Sequence, residues 1–190
     1  VSGAELVFLG LDGRYYARLG GGATPHTVLR RQQYARQAEP AYSLRMAQRM
    51  VAGKLRNERV LLQRQARSRG LDLGAEIADL AAGEERTART RTLNALLGLE
   101  GSTTARYFGA YRLLFAEPWQ FVRRTRRPPT DPVNVLLSLG YTFLTRAAES
   151  AVEAVGLDPY LGFLHQEAYN RPSLALDILE EFRPVIDGLV

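Results

Sequence analysis

The chain has 190 residues, 46% of them hydrophobic and 24% charged, with a net charge of +5 and no cysteine. That is length enough for one sizeable core, and the composition is ordinary for a soluble globular protein. No run of about eighteen apolar residues and no signal-peptide pattern at the start speak for a membrane, while the missing thiols exclude disulfides and thiolate metal sites and fit a reducing cytoplasm.

Residues 5–18, "ELVFLGLDGRYYAR", are two short apolar runs around Asp12-Gly13 and predict a β-hairpin. Two strands alone are marginal, so the hairpin is expected to be the end of a larger, incomplete β domain over 1–19. "GGGATP" (20–25) reads as a linker, with Thr24 as N-cap and Pro25 at the first helical position. Helices are then expected over 26–37, interrupted at Glu39-Pro40, and over 42–69, ending at Gly70. Leu44, Val51, Leu55 and Leu62 form the buried stripe of the longer one. A short helix over 73–81 and a longer one over 85–115 follow. The segment "EPWQFVRRTRRPPTDP" is a basic, proline-punctuated loop, and Asp131-Pro132 opens a helix to about residue 155. "GLDPYLGF" turns the chain, and a last helix opens at Pro172. The expected class is mainly α, a hairpin remnant followed by a helical domain over 26–190.

The stretch "GFLHQEAYNRPSLALDILEEFRP" carries the chemistry-bearing residues. At about 100° per residue, Asp177, Glu180 and Glu181 share one polar arc of the last helix, and Leu174, Ile178, Leu179, Phe182 and Ile186 lie opposite. Such acids read first as the solvated face of an amphipathic helix. His165, after the apolar "YLGFL", reads first as a core histidine. Together they admit a second reading, a divalent-cation site. One imidazole with two or three carboxylates suits Mn²⁺ or Mg²⁺ better than zinc, and "HQEAY" lacks the second histidine of a zinc-protease helix. Glu100, in "LLGLEGSTTARYFGAY", would supply a further carboxylate; periodicity alone makes it a surface residue. Spacing does not choose between Glu180 and Glu181.

Four blocks between residues 93 and 184, "LLGLEGSTTARYF", "RRPPTDPVNVLLSLGYTFL", "GLDPYLGFLH" and "RPSLALDILEEFRP", resemble in order and spacing the CRISPR-associated integrase that captures new spacers, the Cas1 family. Residues 24–69 resemble its first helices more loosely, and residues 5–18 the last hairpin of its N-terminal β domain. The resemblance implies a metal-dependent DNA endonuclease and integrase of CRISPR adaptation. Such an enzyme inserts protospacer DNA into the CRISPR array by attack of a 3′-hydroxyl on a phosphodiester. It places the family's metal-binding glutamate on Glu100, its histidine on His165 and its second acid on Glu180, the three expected catalytic residues, with Asp177 as a further position at the metal. The implied cofactor is Mg²⁺ or Mn²⁺.

The implied partners are double-stranded DNA with 3′ overhangs, CRISPR repeat DNA, a second copy in a homodimer, and a Cas2 dimer bridging two such dimers. Some members are fused to a Cas4 nuclease or a reverse transcriptase. The family carries more β structure before its helices and more helices after "FRPVIDGLV", so the chain is expected to belong to something longer.

Lys54 is the single lysine among 25 basic residues, so nearly all basic charge is guanidinium, which matches phosphate oxygens and stays charged at any pH. A pI of about 9.8 favours a polyanionic partner, although a GC-rich genome alone also enriches arginine. Arg45, Arg49, Arg56 and Arg59 fall on one stripe of the long helix, Arg30 and Arg31 precede it, and Arg123, Arg124, Arg126 and Arg127 crowd the basic loop. The stripe, with Arg123 and Arg124, is the expected DNA-binding set, through phosphate contacts that position DNA without reading bases. Trp119 and Tyr107 are candidates for stacking on bases. The rival expectation is a non-catalytic, arginine-rich helical module or scaffold subunit whose acids are merely solvated.

Overall fold

The structure is a computed structural model, and it describes residues 6–19, 26–116, 119, 121–165 and 168–190. The expected linker, with Thr24 and Pro25, lies outside the described residues. The fold is mainly α: among the described residues, a two-stranded hairpin is followed by six α-helices. Strands β1 (Leu6–Leu9) and β2 (Tyr15–Leu19) pair antiparallel, with Leu6 opposite Leu19. The turn between them uses Gly13 at φ 78°, a left-handed conformation that glycine adopts without steric cost.

Helices α1 (Thr27–Gln37) and α2 (Pro40–Arg69) meet at the expected break. Pro40 stands at the first helical position, where its missing N–H costs nothing. Gly70 ends α2 in the left-handed region at φ 66°, its N–H donating to the Ala66 carbonyl. Helix α2 is the spine of the domain: α1, α3, α4 and α6 all pack on it. Its Val51, Leu55 and Leu62 are fully buried, and Leu44 packs against the same core.

The boundary between the next helices lies elsewhere than the sequence suggested. Helix α3 runs Gly74–Thr87 and α4 runs Leu93–Tyr111, passing into a 3₁₀ turn at Arg112–Leu114. Gly83, between the two expected helices, is a packing residue inside α3. A Cβ there would stand 2.9 Å from Thr103 Cγ2, so the glycine lets α3 and α4 approach closely. What ends α3 is the run "TARTRT". Thr87 and Thr90 turn their hydroxyls onto the carbonyls of Glu84 and Thr87, and Thr92 caps α4 by accepting from the Ala95 N–H at 3.2 Å.

Helix α5 (Pro132–Ala154) starts as expected, with Asp131 accepting the Asn134 N–H at 2.8 Å. Helix α6 (Ser173–Asp187) packs against both α2 and α5. That double contact overturns its expected orientation. Leu174 and Leu179 are buried, but so are Asp177 and Glu180, at 0% and 3% exposure, while Phe182 is half exposed. No helix among the described residues is long and apolar enough to cross a membrane.

Candidate metal centre

Four segments supply the site: the middle of α2, the first half of α4, the loop before α6, and α6 itself. Periodicity sets the α2 contribution. Lys54 and Glu58 fall on the same face as Val51, Leu55 and Leu62, so the helix carries both charges inside, each 2% exposed. Neither was singled out as a site residue from the sequence. The signal was there: one lysine in an arginine chain, standing at i+3 from a core valine.

Lys54 is the hub. Its Nζ contacts Glu100 Oε1 from α4 and lies 2.7 Å from Glu180 Oε2 on α6. Thr104 donates to the same Glu100 oxygen at 3.2 Å, and Arg183 holds the other Glu180 oxygen at 2.9 Å. Burial alone would drive both members of the Lys54–Glu180 pair toward neutrality, but their mutual attraction wins. Burial lowers the Lys54 pKa, yet the charges of Glu180, Glu58 and Glu100 raise it above the usual lysine value. Burial raises the Glu180 pKa, yet Lys54 and Arg183, with His165 adding to them, hold it below the usual carboxylate value. Glu58 has no such protection. Burial pushes its carboxyl up to about 8 against the pull of Lys54, and its Oε2 has no hydrogen-bond partner among the described residues.

The imidazole is placed by Asp177. This carboxylate accepts the backbone N–H groups of Phe163, Leu164 and His165 at 2.5, 2.9 and 2.9 Å. Its Oδ1 also lies 2.7 Å from His165 Nδ1. A carboxylate on Nδ1 keeps the proton there and leaves Nε2 with the free lone pair. Asp177 was expected at the metal itself. With both oxygens taken by backbone and ring and no exposed surface, it stands behind His165 and orients it. Gly162 makes the tight loop possible: a Cβ there would meet Ser173 Cβ at 2.7 Å and Asp177 Oδ2 at 2.9 Å.

Spacing left Glu180 and Glu181 equivalent, and the fold separates them. Glu180 turns inward to Lys54, whereas Glu181 lies along α2, where a Cβ on Gly53 would touch its carboxyl at 2.6 Å. Burial pushes the Glu181 pKa upward. Among the described residues, no three histidine or acid side chains stand ready-made to hold an ion. What the fold assembles is two carboxylates from distant helices on one ammonium, with an imidazole close enough to stabilise the Glu180 charge.

Beyond Glu100 opens a cleft of about 470 Å³, lined by Gly101, Thr104, Arg112, Arg123, Arg124 and Arg126 among others. The expected arginine set divides there. Arg123 and Arg126 are exposed, and Arg112, which sequence reasoning missed, joins them across the cleft. Arg124 is structural: it donates to Asn134 Oδ1 at 2.8 Å and Ser138 Oγ at 3.0 Å and lies 5.3 Å over the Tyr141 ring. On α2, Arg45 and Arg49 are exposed, but Arg56 and Arg59 pair with Glu84 of α3 at 2.9 and 3.1 Å. The stripe is thus half free and half engaged. Arg30 is also pinned, to the Gly156 carbonyl. Tyr107, a stacking candidate, is fully buried and donates to Asp187, while Trp119 is half exposed.

The helical fold that brings these residues together is shared with CRISPR-associated and casposase structures. The chain belongs to the Cas1 family: the model of "CRISPR associated protein Cas1" matches residues 2–190. It is 42% identical over 184 residues to a CRISPR-associated endonuclease Cas1 of Thermus thermophilus, covering 97% of this chain and 53% of that protein. Over 182 residues it is 40% identical to a Cas4 exonuclease/Cas1 endonuclease fusion of Rhodospirillum rubrum, covering 92% of this chain and 31% of the fusion. A chain of a Cas6-RT-Cas1–Cas2 complex superposes with a TM-score of 0.82 at 29% identity, covering 96% of this chain and 20% of that one. A casposase bound to integration product shares the fold, with a TM-score of 0.86 at 23% identity, covering 96% and 51%. The chain spans about half the length of the curated Cas1 endonucleases that it matches, 53% and 56% for two of them.

Proposed function

We propose that this chain is the helical part of a metal-dependent DNA endonuclease and integrase of CRISPR adaptation. One observation carries the reading: Glu100 and Glu180, brought from helices 80 residues apart in sequence, converge on a single cation, the Lys54 ammonium, beside a histidine whose Nδ1 is fixed. A pair of carboxylates that already shares one cation, with an imidazole whose charge bears on one of them, offers the oxygen and nitrogen donors that Mg²⁺ or Mn²⁺ takes. Glu100, Glu180 and His165 Nε2 would hold the ion. When bound, it supplies charge neutralisation at the phosphoryl group and eases deprotonation of the attacking hydroxyl.

The chain's own residues do the rest. Asp177 holds the His165 ring against rotation and, in the neutral ring, keeps the proton on Nδ1 so that the lone pair lies on Nε2. The exposed guanidinium groups of Arg112, Arg123 and Arg126 neutralise phosphates along the cleft, which sets DNA beside Glu100. In strand transfer the DNA 3′-hydroxyl forms a new P–O bond and releases its proton to solvent. The bond from phosphorus to the leaving 3′-oxygen breaks, and that oxygen takes up a proton. With water as the nucleophile the same geometry gives hydrolysis, hence nicking. No protein nucleophile is needed.

The DNA substrates under this reading are protospacer duplexes with 3′ overhangs and CRISPR repeat DNA. Its assembly is a homodimer joined to a second by a Cas2 dimer. Support comes from the relatives, among them a Cas1–Cas2 complex and Cas4/Cas1 fusions. Strand transfer or nicking with Mn²⁺ tests it, comparing the intact protein with Glu100→Ala and His165→Ala. Both variants are expected to fall to background while DNA binding persists. Retained cleavage in both would return the chain to the reading of a non-catalytic nucleic-acid-binding module.

A further inference from the structure

We propose that Lys54 is a built-in placeholder for the divalent cation, holding Glu100 and Glu180 together until an entering ion displaces its ammonium toward Glu58. The inference rests on the reading of Glu100, His165 and Glu180 as a metal centre, and it concerns how that centre exists without metal.

Two carboxylates facing one point, Glu180 buried and Glu100 partly so, repel each other unless a cation stands between them. Here the cation is Nζ of Lys54, on Glu100 Oε1 and 2.7 Å from Glu180 Oε2, on a side chain only 3% exposed. Those oxygens are among the donors that a divalent ion would need, at about 2.1 Å for Mg²⁺. An ion bound to both leaves no room for an ammonium on the same atoms, and two cations there would repel. Metal and lysine therefore compete for one place. This also accounts for the lack of a preassembled trio of acids and histidine among the described residues, because the ammonium occupies the point on which they converge.

A displaced ammonium needs an acceptor within reach, and α2 provides one. Glu58 lies one turn beyond Lys54 on the same buried face, and its Oε2 is buried without a hydrogen-bond partner. Among the described residues nothing hydrogen-bonds that oxygen. The residue type also fits. A lysine is a point charge on a flexible stem that can leave one partner for another, whereas an arginine fork in the same position would clamp both carboxylates in a fixed plane. In a chain whose other basic residues are all arginine, the one position that must let go is lysine.

The test is Mn²⁺ titration of the full chain without DNA, by calorimetry and by thermal melting with and without EDTA, for the intact protein and Lys54→Met. The variant is expected to bind Mn²⁺ at least about fivefold more tightly, the low end of usual coupling between competing events. It is also expected to melt lower in EDTA and to gain more from Mn²⁺. A folded Lys54→Met variant with equal or weaker Mn²⁺ binding overturns the proposal. If that variant does not fold, Glu58→Leu decides: removing the acceptor oxygens should weaken Mn²⁺ binding, and unchanged affinity overturns the proposal equally. An intact chain that binds no Mn²⁺ by either measure sinks the metal centre itself, and the placeholder with it.

Discussion

The interior of the candidate metal centre and the arginine face of α2 are built from the same kinds of charge on the same helix, yet they work differently. Lys54 and Glu58 point inward, and Lys54 answers to partners on α4 and α6; Arg45 and Arg49, within ten residues of Lys54, lie exposed. Inside, the Lys54 charge has fixed opposites and the cost of losing one is large, while Glu58, without one, is pushed toward its neutral form. Outside, a charge is screened, replaceable and worth little to the fold, but free to meet a polyanion. Burial, rather than residue type, separates the charges that build the site from those left free to meet a polyanion.

The largest effect is expected on the inside. Glu180→Ala removes one partner of a buried pair and should lower the unfolding free energy of the metal-free protein by about 3–5 kcal/mol, measured by chemical denaturation. A loss below about 1 kcal/mol would place Glu180 with the exposed charges. Next is Asp177→Asn. It leaves the volume but alters the hydrogen bonds that orient His165, and Mn²⁺ affinity should fall by about 10–100-fold. Calorimetry reads this directly.

Third comes a dependence on pH. The Glu58 carboxyl keeps its proton in the folded chain up to about 8, against a usual 4.5, and Asp187 up to about 6, against 3.8. Folded-state values above the unfolded ones mean that unfolding releases protons, so stability falls as pH rises through these windows. Between pH 6 and 8 only Glu58 of this pair still contributes, with a limiting slope of about 1.4 kcal/mol per pH unit. Glu180, shifted the other way, acts only near and below its usual range. Denaturation curves at pH 6, 7 and 8 should show the decline in the intact protein and a flatter profile in Glu58→Gln.

The smallest effects on the fold belong to the outer face. Arg45→Glu and Arg49→Glu should leave stability within about 0.5 kcal/mol. Each should reduce the salt dependence of DNA binding by about one phosphate contact. Arg56→Glu should change that slope less, because Glu84 already holds Arg56.

Much of this was legible before any coordinates. The apolar stripe of α2, the Pro40 start, the Gly70 stop and the Asp131 cap are local signals, and the fold uses them as written. The α3–α4 boundary was not, because Gly83 serves a neighbour 20 residues away in sequence instead of its own helix. The rotation of α6 was hidden for a similar reason. A helix packed on one side turns its acids to water, but α6 is packed on two, and the partners that make burial of Glu180 tolerable are Lys54, far along the chain, and Arg183, one turn on. Resemblance pointed to Glu100, His165 and Glu180. It did not point to the ammonium standing among them, although α2 periodicity, followed through every position, would have placed it inside.

Gly162 has no side chain to offer to any reaction, and mutational scans read importance from loss of function. Ser173, Asp177 and the His165 carbonyl crowd the space where its Cβ would go. An alanine there would push the loop off its anchor and swing the imidazole with it. A survey of inactive variants would therefore score this silent position alongside the acids and the histidine. Its importance is that of an empty volume on which the aim of a distant nitrogen depends.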